Sequence, residues 1–98
     1  DCWFSRVMLT LPIGKDNTNV RFANMLVVFN SSLDTEEIVS KLKQIERQCG
    51  DTRMARSRGE VIMDIDLLKY DDERFHRSDW QRHYVKTLME EMLQLTKV

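Results

Sequence analysis

The stretch from Asp34 to Gly50 is closed at both ends, which places a helix in the middle of the chain. Asp34 supplies an N-terminal cap, and Glu37 sits three residues later, as a capping box requires. Ile38, Val39, Leu42, Ile45 and Cys49 recur at helical spacing, and Gly50 provides the left-handed stop. Apolar, β-favouring segments flank this helix, Arg21 to Asn30 before it and Glu60 to Tyr70 after it. Two strands joined through one helix are expected to lie parallel, by a right-handed crossover.

The remaining segments extend this unit. Trp3 to Leu11 reads as a strand that stops at Pro12 and Gly14, and the polar turn Lys15 to Asn19 makes it an antiparallel neighbour of the second strand. In the second strand Ala23, Met25, Val27 and Phe29 share one face, and Phe22, Asn24, Leu26 and Val28 the other. A basic, flexible segment, Asp51 to Gly59, follows the helix. Asp71-Asp72-Glu73 closes the third strand, and Ser78 with Gln81 suggests a capping box for a last helix, Asp79 to Leu95. The apolar stripe of that helix is Trp80, Tyr84, Val85, Leu88, Met92 and Leu95. The order β-β-α-β-α predicts an α+β fold with a small mixed three-stranded sheet and two helices on one face. The other face is then open, and Asn24, Asp64 and Asp66 are expected to point from it.

Composition narrows the class. The 98 residues, 42% hydrophobic and 32% charged, suit one soluble domain spanning 1–98. A net charge of −1 gives no reason to expect a nucleic-acid or anionic-membrane surface. No apolar run reaches the roughly 18–20 residues that span a bilayer, and no signal peptide is visible, so the cytoplasm is the expected location. Cys2 and Cys49 are not spaced as a metal pair and read as buried or idle thiols. His76 and His83, seven apart and distant from either Cys, do not form a zinc pattern.

Met63-Asp64-Ile65-Asp66-Leu67-Leu68 is the sharpest local signal. On a strand, Asp64 and Asp66 project from one face while Met63, Ile65 and Leu67 point into the core. With backbones about 6.5–7 Å apart, the two acids can share one Mg²⁺ or hold two. The competing reading is a solvated acidic face. Arg53, Arg56 and Arg58 lie just upstream, where guanidinium forks on a loop can close over a polyphosphate; an exposed polar loop is the alternative. Glu46 flanks the helix stripe, either as a ligand acceptor or as a surface glutamate paired with Arg47 or Lys43. Asn24, in mid-strand where asparagine is disfavoured, suits an amide contact to a flat heterocycle.

Phe22-Ala23-Asn24, Leu33, Glu36-Glu37, Ile45-Glu46, Gly50, Arg53, Gly59 and Asp64-Ile65-Asp66-Leu67-Leu68 with Tyr70 together resemble the 6-hydroxymethyl-7,8-dihydropterin pyrophosphokinase family, without gaps from Phe22 to Tyr70. The resemblance implies a ferredoxin-like α+β fold and Mg²⁺-dependent transfer of pyrophosphate from ATP to a reduced pterin in folate biosynthesis. By it, Asp64 and Asp66 match metal-binding aspartates and Asn24, beside Phe22, a pterin-contacting asparagine. Glu46 matches a glutamate near the nucleotide, and Arg53 a loop arginine of the group Arg53, Arg56 and Arg58. The sequence also departs from the family. Its opening strand and helix have no counterpart before Asp1, and Asp51 and Val61 stand where arginines are usual. The family's C-terminal histidine, arginine and aromatic are expected to be replaced by an unrelated helix from Asp79. These departures point to lost or strongly reduced catalysis. The alternative is a non-catalytic binding or assembly module that keeps the scaffold, with a homodimer formed through the sheet.

Overall fold

The computed structural model describes residues 2–11, 21–60 and 62–95. The chain divides into two compact units, Asp1–Ser31 with Ser78–Val98, and Ser32–Arg77.

The first unit is a hairpin and a helix. β1 (Cys2–Phe4) pairs antiparallel with β4 (Val27–Phe29), and β2 (Met8–Thr10) with β3 (Phe22–Asn24). The expected antiparallel neighbours are therefore present, but each is broken in the middle; the turn at 12–19 lies outside the described residues. Phe4 faces Val27 and Met8 faces Asn24, so Ser5, Arg6 and Val7 oppose only Met25 and Leu26. That one extra residue is a β-bulge. Ser5 spans it: its N–H donates to the Leu26 carbonyl at 2.8 Å, and its hydroxyl accepts the Leu26 N–H at 2.7 Å. The bulge also reverses side-chain parity, so that Trp3 and Met8 are both half-buried.

The faces of the second strand alternate as expected, but their exposure is the reverse of the expectation. Asn24, Leu26 and Val28 are half-buried, whereas Met25, Val27 and Phe29 are exposed beside Phe4 and Leu9. Asn24 thus sits on the covered face rather than the open one.

The helix of this unit, α3, runs from His83 to Leu95 and buries Val85, Leu88 and Met92 at i, i+3 and i+7. It begins four residues later than expected because Arg77–Gln81 forms a 3₁₀ turn. Within that turn the Asp79 carboxylate accepts from Arg82 Nε at 2.9 Å, and the Ser78 capping box does not form. Arg6 grips Glu91 of α3 through Nε at 2.9 Å and Nη2 at 3.0 Å, which ties the hairpin to the helix.

The second unit opens with α1 (Thr35–Gln48), whose capping box is complete: the Glu37 N–H donates to Asp34 Oδ1 at 2.8 Å, and the Asp34 N–H to Glu37 Oε1 at 3.4 Å. Gly50 takes φ +96°, the left-handed stop expected of it. The stretch expected to be a flexible basic loop contains a one-turn helix, α2 (Arg53–Ser57), capped by the Thr52 hydroxyl and seated on buried Ala55.

The expected third strand survives only as β5 (Lys69–Tyr70), which pairs antiparallel with β6 (Glu73–Arg74). Among the described residues, 62–68 joins no ladder, and no mixed three-stranded sheet with a parallel crossover forms. The fold class is α+β, built among the described residues from three two-stranded antiparallel ladders and three α-helices. Tyr70 closes the unit by donating its hydroxyl to the Leu33 carbonyl at 2.9 Å. Cys2 and Cys49 are free and exposed, so neither is the buried thiol allowed for above. No helix among the described residues is long and apolar enough to cross a membrane.

Leu88 has no exposed surface. Leu88→Ala is expected to destabilise the chain by about 2–5 kcal/mol, checked by urea unfolding followed by circular dichroism.

Candidate functional site

Residues 62–68 carry Asp64 and Asp66, and side chains do the work that a neighbouring strand would do. The buried face of α1 runs through Thr35, Ile38 and Leu42 to Glu46, which is only 4% exposed. Glu46 Oε2 accepts the Ile65 N–H at 2.6 Å, and Oε1 pairs with Lys43 at 3.3 Å. The surface pairing with Lys43 is thus present, but the glutamate itself is a buried acceptor for the acidic segment.

Asp51 does the same one step along. Its Oδ1 accepts the Ile62 N–H at 2.8 Å and the Met63 N–H at 3.4 Å. Its Oδ2 lies 2.7 Å from both Nε and Nη2 of Arg56. The Arg56 guanidinium, then the Ile62 and Met63 amides, hold the Asp51 carboxyl below its ordinary pKa against the opposing effect of burial. In the sequence, Asp51 stands out only as a departure from a family pattern. Its position after the helix-ending Gly50 is the one local signal, and its partners at 56, 62 and 63 come from tertiary structure.

Anchored in this way, Ile65 and Leu67 are half-buried while Asp64 and Asp66 are exposed, so the predicted alternation holds from Asp64 to Leu67 without a strand. Met63, expected in the core, is exposed, because among the described residues the segment that carries it has no sheet to bury it. Asp64 Oδ1 lies 3.6 Å from Arg56 Nη2, and Asp66 Oδ1 lies 3.7 Å from His76 Nε2. Two exposed carboxylates on alternate residues are hard oxygen donors of the kind Mg²⁺ takes together with several waters, so this donor set fits that ion. An open groove of about 410 Å³ runs beside Leu67, lined also by Val39, Phe75 and His76.

The three arginines differ. Arg56 is engaged by Asp51 and Asp64, and Arg58 pairs with Glu60 at 3.1 Å. Arg53 is exposed, on the first residue of α2, and pairs with none of the described residues. Val61 lies outside the described residues. In the other unit, Asn24 Nδ2 donates to Thr10 Oγ1 at 2.7 Å and, at 3.3 Å, to the carbonyls of Met8 and Phe22. Those bonds secure the β2–β3 pair, and Phe22 beside it is 38% exposed.

The family model for 7,8-dihydro-6-hydroxymethylpterin-pyrophosphokinase matches residues 2–94. The chain belongs to this family. A folate synthesis bifunctional protein of Chlamydia caviae is 31% identical over 71 residues, which are 72% of this chain and 16% of that relative's length. No solved structure matches. The family match takes in both the 3₁₀ turn and nearly all of α3, so the expectation of an unrelated C-terminal helix is corrected.

Two outcomes check this arrangement. Glu46→Ala removes the acceptor of a buried amide and is expected to cost about 1–3 kcal/mol, with faster hydrogen exchange at Ile65. The Asp51 carboxyl has a lower pKa folded than unfolded, so its stabilising contribution is full above the unfolded value of about 3.9 and is lost as pH falls through the folded value. Urea midpoints measured from pH 7 downward should fall below the ordinary aspartate range, and less steeply in Asp51→Asn.

Proposed function

We propose that this chain is a single pyrophosphokinase-family domain that binds Mg²⁺ and ATP. It would work in the family reaction, transfer of pyrophosphate from ATP to 6-hydroxymethyl-7,8-dihydropterin, at a strongly reduced rate. The observation that carries this reading is the outward display of Asp64 and Asp66 from a segment whose backbone is anchored by buried Glu46 and Asp51. The family match over residues 2–94 supports it.

Residues at this site would hold Mg²⁺, whose charge would offset that of the phosphates. Asp64 and Asp66 are its proposed ligands. Arg53, exposed and without a partner among the described residues, is the proposed phosphate contact, and Arg58 can join it by leaving its exposed pair with Glu60. Asn24 and Phe22 are the proposed pterin contacts. His76, Arg82 and Tyr84 stand, in that order, within the matched span and are the candidates for the family's histidine, arginine and aromatic. The reduced rate follows from the number of positioned charges such catalysis needs: Arg56 is committed to Asp51, and Glu60 places a negative charge beside Arg58.

A second reading, a non-catalytic assembly module that forms a homodimer, is favoured by one observation. The hairpin exposes Phe4, Leu9, Met25, Val27 and Phe29 together.

Titration of ¹⁵N-labelled chain with Mg²⁺, then with Mg²⁺ and a non-hydrolysable ATP analogue, separates the two. Saturable shifts at Asp64, Asp66 and the Arg53–Arg58 segment, lost in the Asp64→Asn, Asp66→Asn double variant, are expected, and a pterin transfer assay then measures the residual rate. A spectrum unmoved at millimolar ligand would sink the enzyme reading and favour the module.

A further inference from the structure

We propose that Asp51 is a positioning residue that holds the Arg56 guanidinium off Asp64, leaving Asp64 available to a divalent cation. The inference rests on the reading of Asp64 and Asp66 as cation ligands. One nitrogen, Arg56 Nη2, faces both acids, at 2.7 Å from Asp51 Oδ2 and 3.6 Å from Asp64 Oδ1. Coulomb attraction rises as the distance shortens and as water is excluded. Both factors favour Asp51, whose side chain is 3% exposed against 51% for Asp64.

The grip is also directional. Arg56 Nε donates to the same Oδ2 at 2.7 Å, so the guanidinium meets Asp51 at two short distances and Asp64 at a single long one. Nη2 also donates to the Met63 carbonyl at 3.5 Å. Asp51 cannot turn away, because its other oxygen is held by the Ile62 and Met63 amides. The short helix α2, capped by Thr52 next to Asp51, fixes where Arg56 begins.

Glu46, the other carboxylate whose field reaches Arg56, is already engaged by the Ile65 amide and Lys43. Without the charge on Asp51, the exposed anion in reach of Arg56 is Asp64. A cation would then have to displace a guanidinium before binding. Arg56 is therefore assigned to its ion pair with Asp51 rather than to phosphate.

The test is titration of the ¹⁵N-labelled chain with Mn²⁺ alone, read as paramagnetic broadening of the amides around Asp64 and Asp66. Asp51→Asn keeps an oxygen for the Ile62 and Met63 amides but not the charge. It is expected to need about ten- to a hundredfold more Mn²⁺, the usual cost of losing a group that supports a metal ligand. Arg56→Gln should bind as the native chain does, and the double variant Asp51→Asn, Arg56→Gln should recover native affinity.

Recovery is the signature that a purely structural role for Asp51 would not produce. An unchanged Asp51→Asn, or a double variant that stays weak, overturns the proposal and leaves the cation site standing. No localised broadening in the native chain overturns both. Should Asp51→Asn fail to fold, Arg56→Gln alone decides: native affinity supports the proposal, and a shift of about tenfold in either direction overturns it.

Discussion

The amides of Ile62, Met63 and Ile65 are hydrogen-bonded to the carboxylates of Asp51 and Glu46. A buried carboxylate is stable only where hydrogen bonds and opposite charge replace its lost hydration, and an unpaired buried amide carries its own penalty. Each group here answers the need of the other. The segment 62–68 thereby keeps a defined path without a neighbouring strand, with Ile65 and Leu67 turned inward and the two aspartates outward. Arg56 and Lys43 supply the compensating positive charge at the rim of this arrangement.

The same substitution of side chain for ladder occurs in the hairpin. At the bulge, the Ser5 hydroxyl takes the Leu26 amide that an extra residue would otherwise strand. Shifting the register by one residue between β1 and β2 brings Trp3 and Met8 to one side although their positions have opposite parity. Asn24 then serves the hairpin, since its amide nitrogen is spent on Thr10 and two carbonyls. A pterin contact by this residue would use what remains of the amide, its oxygen.

Family membership and geometry bear on function in different ways. The match across residues 2–94 places the chain in the pterin pyrophosphokinase family. The geometry distinguishes arginines that composition alone treats as equals. One is locked to a buried aspartate, one is paired at the surface, and Arg53 projects without a partner among the described residues. A cluster that reads as a uniform phosphate clamp is thus a divided set, and the division follows from which acid each guanidinium can reach.

Local signals in the sequence were sufficient where local physics decides. The capping box at Asp34, the stop at Gly50, the burial of Val85, Leu88 and Met92, and the alternation from Asp64 to Leu67 all depend on bonds or periodicities within a few residues. Tertiary structure alone decided whether an extended segment has a strand beside it, which face of the hairpin is covered, where the 3₁₀ turn gives way to α3, and that Glu46 and Asp51 are buried. The reason is that strand pairing and the burial of charge depend on groups distant along the chain. Glu46 meets Ile65 across nineteen positions and Asp51 meets Ile62 across eleven, separations over which neither hydrophobic period nor turn chemistry carries information.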